Sequence, residues 1–270
     1  MSDLSITIIQ TNLFWENKKA NLEMLEEKIK NISIPTQIIV LPEMFSTGFS
    51  MNAPLLAEKM EGITIEWMKR ISRENKIIIA GSIIIKEEDK YYNRLIWMMP
   101  NGQFGHYDKR HLFGLANEPN IYTAGNKRLI TSVNGWKINL QICYDLRFPV
   151  WSRQQSVIKN NILTPEFDLM IYVANWPEKR NNAWETLLAA RAIENQSYVV
   201  GVNRIGLDND HNNHIGNSCV INPLGEVLYK KYNEEDIYTI NLQKDKLLSI
   251  REAFPFLKDA DLFNIQQDLI

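Results

Sequence analysis

Short apolar segments alternate with amphipathic helical patterns along the first third of the chain, and this order constrains the fold more than any other feature. Residues 4–11, 36–41 and 77–85 read as strands, and the last two are apolar runs typical of strands covered on both faces. Residues 18–32 and 64–75 carry apolar side chains at three- and four-residue spacing, as one face of a helix does. This alternation of strands and helices predicts an α/β fold.

The middle of the chain predicts antiparallel strands, so we expect the sheet to be mixed. Residues 91–99 and 104–113 read as two strands on either side of Asn101-Gly102. An Asn-Gly pair between strand-like runs is a strong hairpin signal. The order of strands and helices then recurs after about residue 130, which predicts two similar halves.

We expect residues 1–270 to form a single domain, because no Gly/Ser-rich linker or change in composition divides them. Residues 206–217 are expected to be a hydrated loop that holds two of the four histidines. From about residue 244 the chain reads as a helix and then an extended tail rich in Phe and Leu. Such an apolar tail is expected to lie on a partner subunit or on the body of its own subunit.

A strand that ends at Cys143 supplies the first candidate for chemistry. Ile138, Leu140 and Ile142 alternate with polar residues, and Pro149 then begins what reads as the first turn of a helix. Cys143 would therefore occupy a strand-to-helix corner, where a side chain is exposed and backbone N–H groups are free. Taken alone, a cysteine at the end of an apolar strand is more often an inert buried residue than a nucleophile.

Two charged residues could share a pocket with this thiol. Glu43 follows Pro42 just past a buried strand, and Lys109 lies on the second arm of the predicted hairpin. A desolvated carboxylate could accept the thiol proton, while an ammonium would favour the thiolate and later an oxyanion. From spacing alone, both could equally be solvated surface residues.

Composition and motifs exclude several other classes of protein. A net charge of −2 gives no reason to expect nucleic acid or an anionic membrane as a partner. The first residues lack the pattern of a signal peptide, so we expect a cytoplasmic protein in which Cys143 and Cys219 are reduced thiols. No Cys/His cluster has metal-ligand spacing and no Gly-rich phosphate loop is visible, so neither a metal nor a cofactor is expected.

Three blocks of sequence, in this order, resemble the signature blocks of the nitrilase, or carbon–nitrogen hydrolase, superfamily. They are Leu41-Pro42-Glu43-Met44-Phe45, Tyr107-Asp108-Lys109-Arg110-His111-Leu112-Phe113 and Cys143-Tyr144-Asp145-Leu146-Arg147-Phe148-Pro149. The resemblance covers nearly the whole chain. It implies a four-layer α-β-β-α sandwich with two mixed sheets, no metal or organic cofactor, and a homodimer formed partly through the C-terminal tail.

The same resemblance implies roles for individual residues. Cys143 would be the nucleophile, Glu43 the general base and Lys109 the group that stabilises the tetrahedral intermediate. The backbone N–H of Tyr144 would be a second donor to the oxyanion. Glu118 resembles a second glutamate that holds the lysine and assists the acid–base steps.

The nucleophile block also favours one branch of the superfamily. Cys143-Tyr144-Asp145 is similar to the amide-hydrolysing branches, whereas plain nitrilases carry Cys-Trp-Glu. Residues 174–177 and 190–195 resemble the bacterial omega-amidases, which release ammonia from the small amides 2-oxoglutaramate and 2-oxosuccinamate. The alternatives are an amidase or carbamoylase of the same superfamily with another small amide substrate, and a catalytically silent member.

Four further expectations concern structure near the thiol. Asp145 and Arg147 are expected to form a local ion pair that shapes the corner, because a buried guanidinium needs a carboxylate. Arg191 is expected to act similarly with Glu194 on its helix. Phe45 and Trp176 are expected to line the substrate pocket.

Overall fold

The computed structural model describes residues 3–155, 157–159 and 162–265. The strands of the first half are β1 (Leu4–Gln10), β2 (Ile38–Val40), β3 (Ile78–Glu87), β4 (Lys90–Met98), β5 (Phe104–Asp108), β6 (Ile130–Val133) and β7 (Trp136–Ile142). The later strands are β8 (Val157–Lys159), β9 (Ile162–Thr164), β10 (Leu169–Ala174), β11 (Tyr198–Asn203), β12 (Ile205–Leu207), β13 (Asn213–Ile221), β14 (Val227–Tyr232) and β15 (Asp236–Leu242). The helices are α1 (Lys18–Lys30), α2 (Ala53–Leu56), α3 (Ile63–Asn75), α4 (Pro149–Ser152), α5 (Asn181–Asn195) and α6 (Lys244–Ala253).

Most of these strands form two mixed sheets. The first has the order β15-β1-β2-β3-β4-β5, in which β1, β2 and β3 are parallel and the other pairings are antiparallel. The second has the order β12-β13-β11-β10-β7-β6, with β14 also paired to β13. Here β7, β10 and β11 are parallel. Each half of the chain therefore supplies three parallel strands flanked by antiparallel ones, as the repeated order of elements predicts.

The apolar runs read from the sequence are explained by burial on both faces of the first sheet. Ile38 and Val40 belong to the core shared with the second sheet, whereas Ile39 between them packs with side chains of α1 and α3. Helix α5 packs on β11 and β13 of the second sheet through Trp184 and Leu188. The layers are therefore helix, sheet, sheet and helix, as predicted.

Local structure departs from the sequence-based expectations in two places. The strand expected over residues 104–113 ends at Asp108, so Lys109 follows the strand and does not lie on it. Residues 206–217 are not a hydrated loop, because β12 and β13 form a hairpin and only Asp208–Asn212 connects them. His214 on β13 is buried. A helix begins at Pro149, as expected, and it ends after one turn, at Ser152. Among the described residues, no helix has the length and apolar character needed to cross a membrane.

The topology brings several strand ends to one edge of the molecule. In parallel sheets the carboxyl ends of neighbouring strands lie side by side, and ligands bind in the crevice outside them. The ends of β2 and β7 lead directly towards Glu43 and Cys143, and the end of β10 leads into Asn175. Strand β5 ends at Asp108, one residue before Lys109.

Candidate active site

The candidate nucleophile lies at a sharply turned corner. Strand β7 ends at Ile142, and a 3₁₀ helix begins at Cys143 and ends at Arg147. Cys143 has φ of +43°, a left-handed conformation that is uncommon for any residue other than glycine. The backbone N–H of Tyr144 falls in the first turn of this helix, where amides have no intrahelical partner.

Asp145 holds this corner in place, and the predicted ion pair with Arg147 is wrong. The Oδ2 atom of Asp145 accepts hydrogen bonds from the Tyr107 hydroxyl at 2.7 Å and the Ile142 N–H at 3.0 Å. Its Oδ1 atom accepts from the His111 N–H at 3.0 Å and lies 2.8 Å from His111 Nδ1. The carboxylate is thus fully occupied by other donors, and the Arg147 guanidinium instead lies 5.1 Å from the centre of the Trp176 ring.

Arg191 supports the same corner from helix α5. One guanidinium nitrogen lies 3.0 Å from Glu194 Oε1, as expected, and another donates to the carbonyl oxygen of Leu146 at 2.6 Å. The side chain is buried. Arg191 therefore ties the 3₁₀ helix after the thiol to the outer layer of the fold.

Glu43 is completely buried and its carboxylate is held on both oxygens. Oε1 accepts hydrogen bonds from Lys109 Nζ at 2.9 Å and from Asn93 Nδ2 at 2.8 Å. Oε2 accepts from the backbone N–H of Asn175 at 2.8 Å. The Asn175 side chain also donates to the Glu43 carbonyl oxygen at 2.6 Å, so the end of β10 fixes both the backbone and the side chain of Glu43.

Lys109 joins Glu43 to the second glutamate. Its Nζ atom donates to both oxygens of Glu118 at 3.1 and 3.0 Å, and Glu118 also accepts the backbone N–H of Phe113 at 2.5 Å. Burial alone would lower the pKa of Lys109, but the carboxylates of Glu118 and Glu43 outweigh it and raise that pKa. The ammonium therefore stays charged. Burial raises the pKa of Glu118, and Lys109 opposes that change.

A glycine determines how Lys109 is presented. The N–H of Gly125 donates to the Lys109 carbonyl oxygen at 2.9 Å. A Cβ atom on Gly125 would lie 2.2 Å from the Asp108 carbonyl oxygen, a distance that forces the backbone apart. The segment after Glu118 can therefore return close to β5 only because residue 125 has no side chain.

The Cys143 thiol is next to these charged groups. Burial, followed by the neighbouring Glu43 carboxylate, raises the pKa of Cys143 well above its ordinary value, and Lys109 acts in the opposite direction. The Sγ–H group donates to the carbonyl oxygen of Asn175, with 4.0 Å between the two atoms. The thiol thus keeps its proton at neutral pH, and the Glu43 carboxylate is near enough to influence its pKa.

A cavity of about 570 Å³ opens above the thiol. Cys143, Lys109, Tyr144 and Trp176 contribute to its lining, as does the ring of Phe49, whose centre lies 4.9 Å from Lys109 Nζ. Trp176 therefore lies where expected. The expectation for Phe45 is wrong, because its side chain is buried in the core beside Trp67, on the helix-covered side of the first sheet.

Sequence reasoning missed two residues that contact Glu43 directly. Asn93 is a buried polar residue within strand β4, and Asn175 directly follows strand β10. An amide beside a buried apolar run, residues 95–98, and another at a strand end were the available signals. Within the described ranges, no group of three or more His, Cys, Asp or Glu side chains could hold a metal ion.

Comparison with known proteins adds independent information. A family model described as carbon-nitrogen hydrolase matches residues 5–252. The omega-amidase YafV of Yersinia enterocolitica is 41% identical over 264 residues, which cover 97% of this chain and 99% of that protein. The 2-oxoglutaramate amidase of Bacillus subtilis is 31% identical over 258 residues, which cover 94% of this chain and 96% of that protein.

A solved structure resembles the whole fold. The protein XC1258 from Xanthomonas campestris, described as a CN-hydrolase superfamily protein with an arsenic adduct in the active site, is 38% identical to this chain. The two structures superpose with a TM-score of 0.95, and the match covers 98% of this chain and 100% of the other. This agreement supports the sandwich of two sheets between helical layers.

Proposed function

Because the chain belongs to the carbon-nitrogen hydrolase family and is an amidase acting on linear amides, we propose that it is a cysteine-dependent omega-amidase. Its substrates would be the monoamides of small 2-oxo dicarboxylic acids, namely 2-oxoglutaramate and 2-oxosuccinamate. Two relatives named omega-amidase and 2-oxoglutaramate amidase support this choice. The observation that carries the proposal is the contact of Glu43, Lys109 and Glu118 beside the thiol at the floor of one cavity.

The first half of the proposed reaction forms a thioester. The Glu43 carboxylate takes the proton of the Cys143 thiol while the sulfur attacks the amide carbon. The oxygen of that carbon becomes negatively charged and is stabilised by the Lys109 ammonium and the Tyr144 N–H. Glu43 then gives its proton to the amide nitrogen, the C–N bond breaks and ammonia leaves.

The second half hydrolyses the thioester. A water molecule gives a proton to Glu43, and the resulting hydroxide attacks the acyl carbon. The C–S bond breaks, and the sulfur recovers a proton from Glu43. Splitting the displacement in this way replaces one difficult step with two easier ones, which suits an unreactive amide. Glu118 positions Lys109 through the reaction without contacting the substrate.

The experiment that tests this proposal combines turnover with intact-mass measurement. We expect wild-type protein to release ammonia from 2-oxoglutaramate and to carry an acyl adduct when quenched rapidly. Cys143→Ser should lose all measurable turnover. Cys219→Ala is the matched control, because Cys219 is the other free, buried thiol. Retained turnover in Cys143→Ser would contradict the mechanism.

The alternative within the superfamily is separated by substrate preference. A panel of small amides and N-carbamoyl amines would be compared by kcat/KM for ammonia release. A carbamoyl compound preferred over 2-oxoglutaramate would replace the omega-amidase proposal with a carbamoylase. Failure of an alkylating reagent to modify Cys143 selectively would favour a catalytically silent member.

We also propose that the protein is a cytoplasmic homodimer. Phe254 and Phe256 are exposed after helix α6, whereas Leu257 beside them is buried against their own subunit. Exposed aromatic side chains of this kind support an interface between subunits. Light scattering should give twice the chain mass, and Phe256→Asp should shift it towards the monomer. The free thiols of Cys143 and Cys219 suit a reducing compartment.

A further inference from the structure

Two arginine side chains that the mechanism does not use reach the cavity above the thiol. Arg147 comes from the end of the 3₁₀ helix that begins at Cys143, and Arg180 directly precedes helix α5. Neither guanidinium forms an ion pair with any carboxylate in the described part of the chain. Arg94, by contrast, pairs with Asp108 through contacts as short as 2.6 Å.

Both guanidiniums are held by aromatic rings. The Arg147 guanidinium lies 5.1 Å from the centre of the Trp176 ring, and that of Arg180 lies 4.9 Å from the Phe113 ring. The Trp176 indole N–H also donates to the Arg180 carbonyl oxygen at 2.8 Å, which links the two sites. A ring face fixes the position of a cation without neutralising its charge, so the N–H donors stay available.

The two positive charges are close enough to disfavour each other. Desolvation is the largest cause of a lowered Arg180 pKa, and the charge of Arg147 lowers it further. Asp208 acts in the opposite direction. Arg180 and Cys143 line the same cavity. A guanidinium remains charged at neutral pH even so, and an anion bound between the two would relieve their repulsion.

Three carboxylates also line this cavity, those of Glu16, Asp208 and Asp210, and none of them forms an ion pair with either guanidinium in the described part of the chain. Asp208 accepts hydrogen bonds from the backbone N–H groups of Asp210 and Asn212 at 3.0 and 2.8 Å. Glu16 accepts from the Ser50 hydroxyl at 2.5 Å. Asp208 therefore offsets part of the Arg180 charge, but neither guanidinium has a carboxylate at ion-pair distance among the described residues.

We propose that Arg147 and Arg180 form the receptor for the carboxylate at the far end of the substrate. This inference rests on the proposed function, and it explains how an amidase of this family would select an amide that also carries a negative charge. The amide carbon would meet Cys143 while the distal carboxylate takes the free donors of both guanidiniums. Neutral amides would gain nothing from the pair.

The kinetic test compares a charged and a neutral amide in Arg147→Gln, Arg180→Gln and Lys179→Gln. We expect the ratio of kcat/KM for 2-oxoglutaramate over butyramide to fall about tenfold to a hundredfold in each arginine variant, mainly through KM for the charged amide. Lys179 is the matched control, since it is an exposed cation on the same turn and its Nζ atom, among the described residues, bonds the Asn212 side chain. An unchanged ratio in both arginine variants would overturn the proposal.

A second measurement keeps the receptor testable if 2-oxoglutaramate is not a substrate. Iodoacetate and iodoacetamide alkylate the same thiol, but only iodoacetate carries a carboxylate. We expect the ratio of their rates at Cys143 to fall at least tenfold in the double variant Arg147→Gln/Arg180→Gln. Equal slowing of both reagents would show that the arginines act on the thiol or the fold and not on an anion. Failure of turnover with a retained iodoacetate preference would count against the proposed substrate alone.

Discussion

Asp145→Asn is expected to lower the free energy of unfolding by about 3–5 kcal/mol. Oδ1 of Asp145 faces the N–H and Nδ1 of His111, and Oδ2 accepts from Tyr107 and Ile142. With His111 Nδ1 protonated, whichever oxygen is replaced by an amide nitrogen loses two hydrogen bonds to a charged acceptor, each worth about 1.5–3 kcal/mol. The Tyr107 hydroxyl cannot simply turn away, because it also accepts from the indole N–H of Trp151 at 3.0 Å.

Urea unfolding followed by tryptophan fluorescence would measure this loss. Asp259→Asn is the matched control, since Asp259 is exposed, and it should change the free energy of unfolding by less than about 0.5 kcal/mol. Arg147→Gln should cost less than about 1 kcal/mol, because Arg147 does not pair with Asp145. A loss in Asp145→Asn no larger than that of the control would refute the reasoning. A loss in Arg147→Gln as large as that in Asp145→Asn would show that Asp145 and Arg147 form an ion pair after all.

Three further predictions follow from individual contacts. Gly125→Ala should lower kcat/KM at least tenfold and cost about 1–3 kcal/mol of stability, whereas Gly114→Ala, with open space around its Cβ position, should do neither. Glu118→Gln should lower kcat about a hundredfold by loosening Lys109, and a decrease below threefold in steady-state ammonia release would contradict that role. Burial lowers the pKa of His214 to about 4. Below pH 6.5 the unfolded state therefore binds a proton at this histidine, whereas the folded state does not bind it until the pH approaches 4. Between pH 7.5 and pH 5 the wild-type protein should therefore lose about 2 kcal/mol more of its free energy of unfolding than His214→Asn does, as measured by denaturation curves at both pH values.

The sequence predicts the fold because its pattern is consistent at every level. The apolar run before Glu43 and the alternation before Cys143 are strands, and both end at the same edge of the molecule. Lys109 directly follows β5, so its position is fixed by the hairpin of β4 and β5, which Asn101-Gly102 predicts. From spacing alone, Glu43 and Lys109 could equally be solvated surface residues. The resemblance of the three sequence blocks to a known family is what predicted that both lie beside Cys143.

The partners of these residues could not be predicted in the same way, because they depend on which way individual groups point. Asn175 holds Glu43 through a backbone N–H, and no property of an asparagine side chain reveals that contact. The proximity of Asp145 and Arg147 in sequence suggested an ion pair. Donors from β7 and from residues 107–111 instead form hydrogen bonds with the Asp145 carboxylate. Phe45 is only two positions after Glu43 in the sequence, but its side chain packs on the helix-covered side of the first sheet.

The pairing of β15 with β1 has a consequence for how the chain is made. Leu4 to Gln10 lie in register with Leu242 to Asp236, and the Thr7 and Thr239 hydroxyls meet at 2.7 Å across a gap of 232 positions. During synthesis the opening strand therefore has no neighbour on this side until nearly the whole polypeptide has left the ribosome. Closing so long a loop is slow, and until then that edge is open to association with other nascent chains.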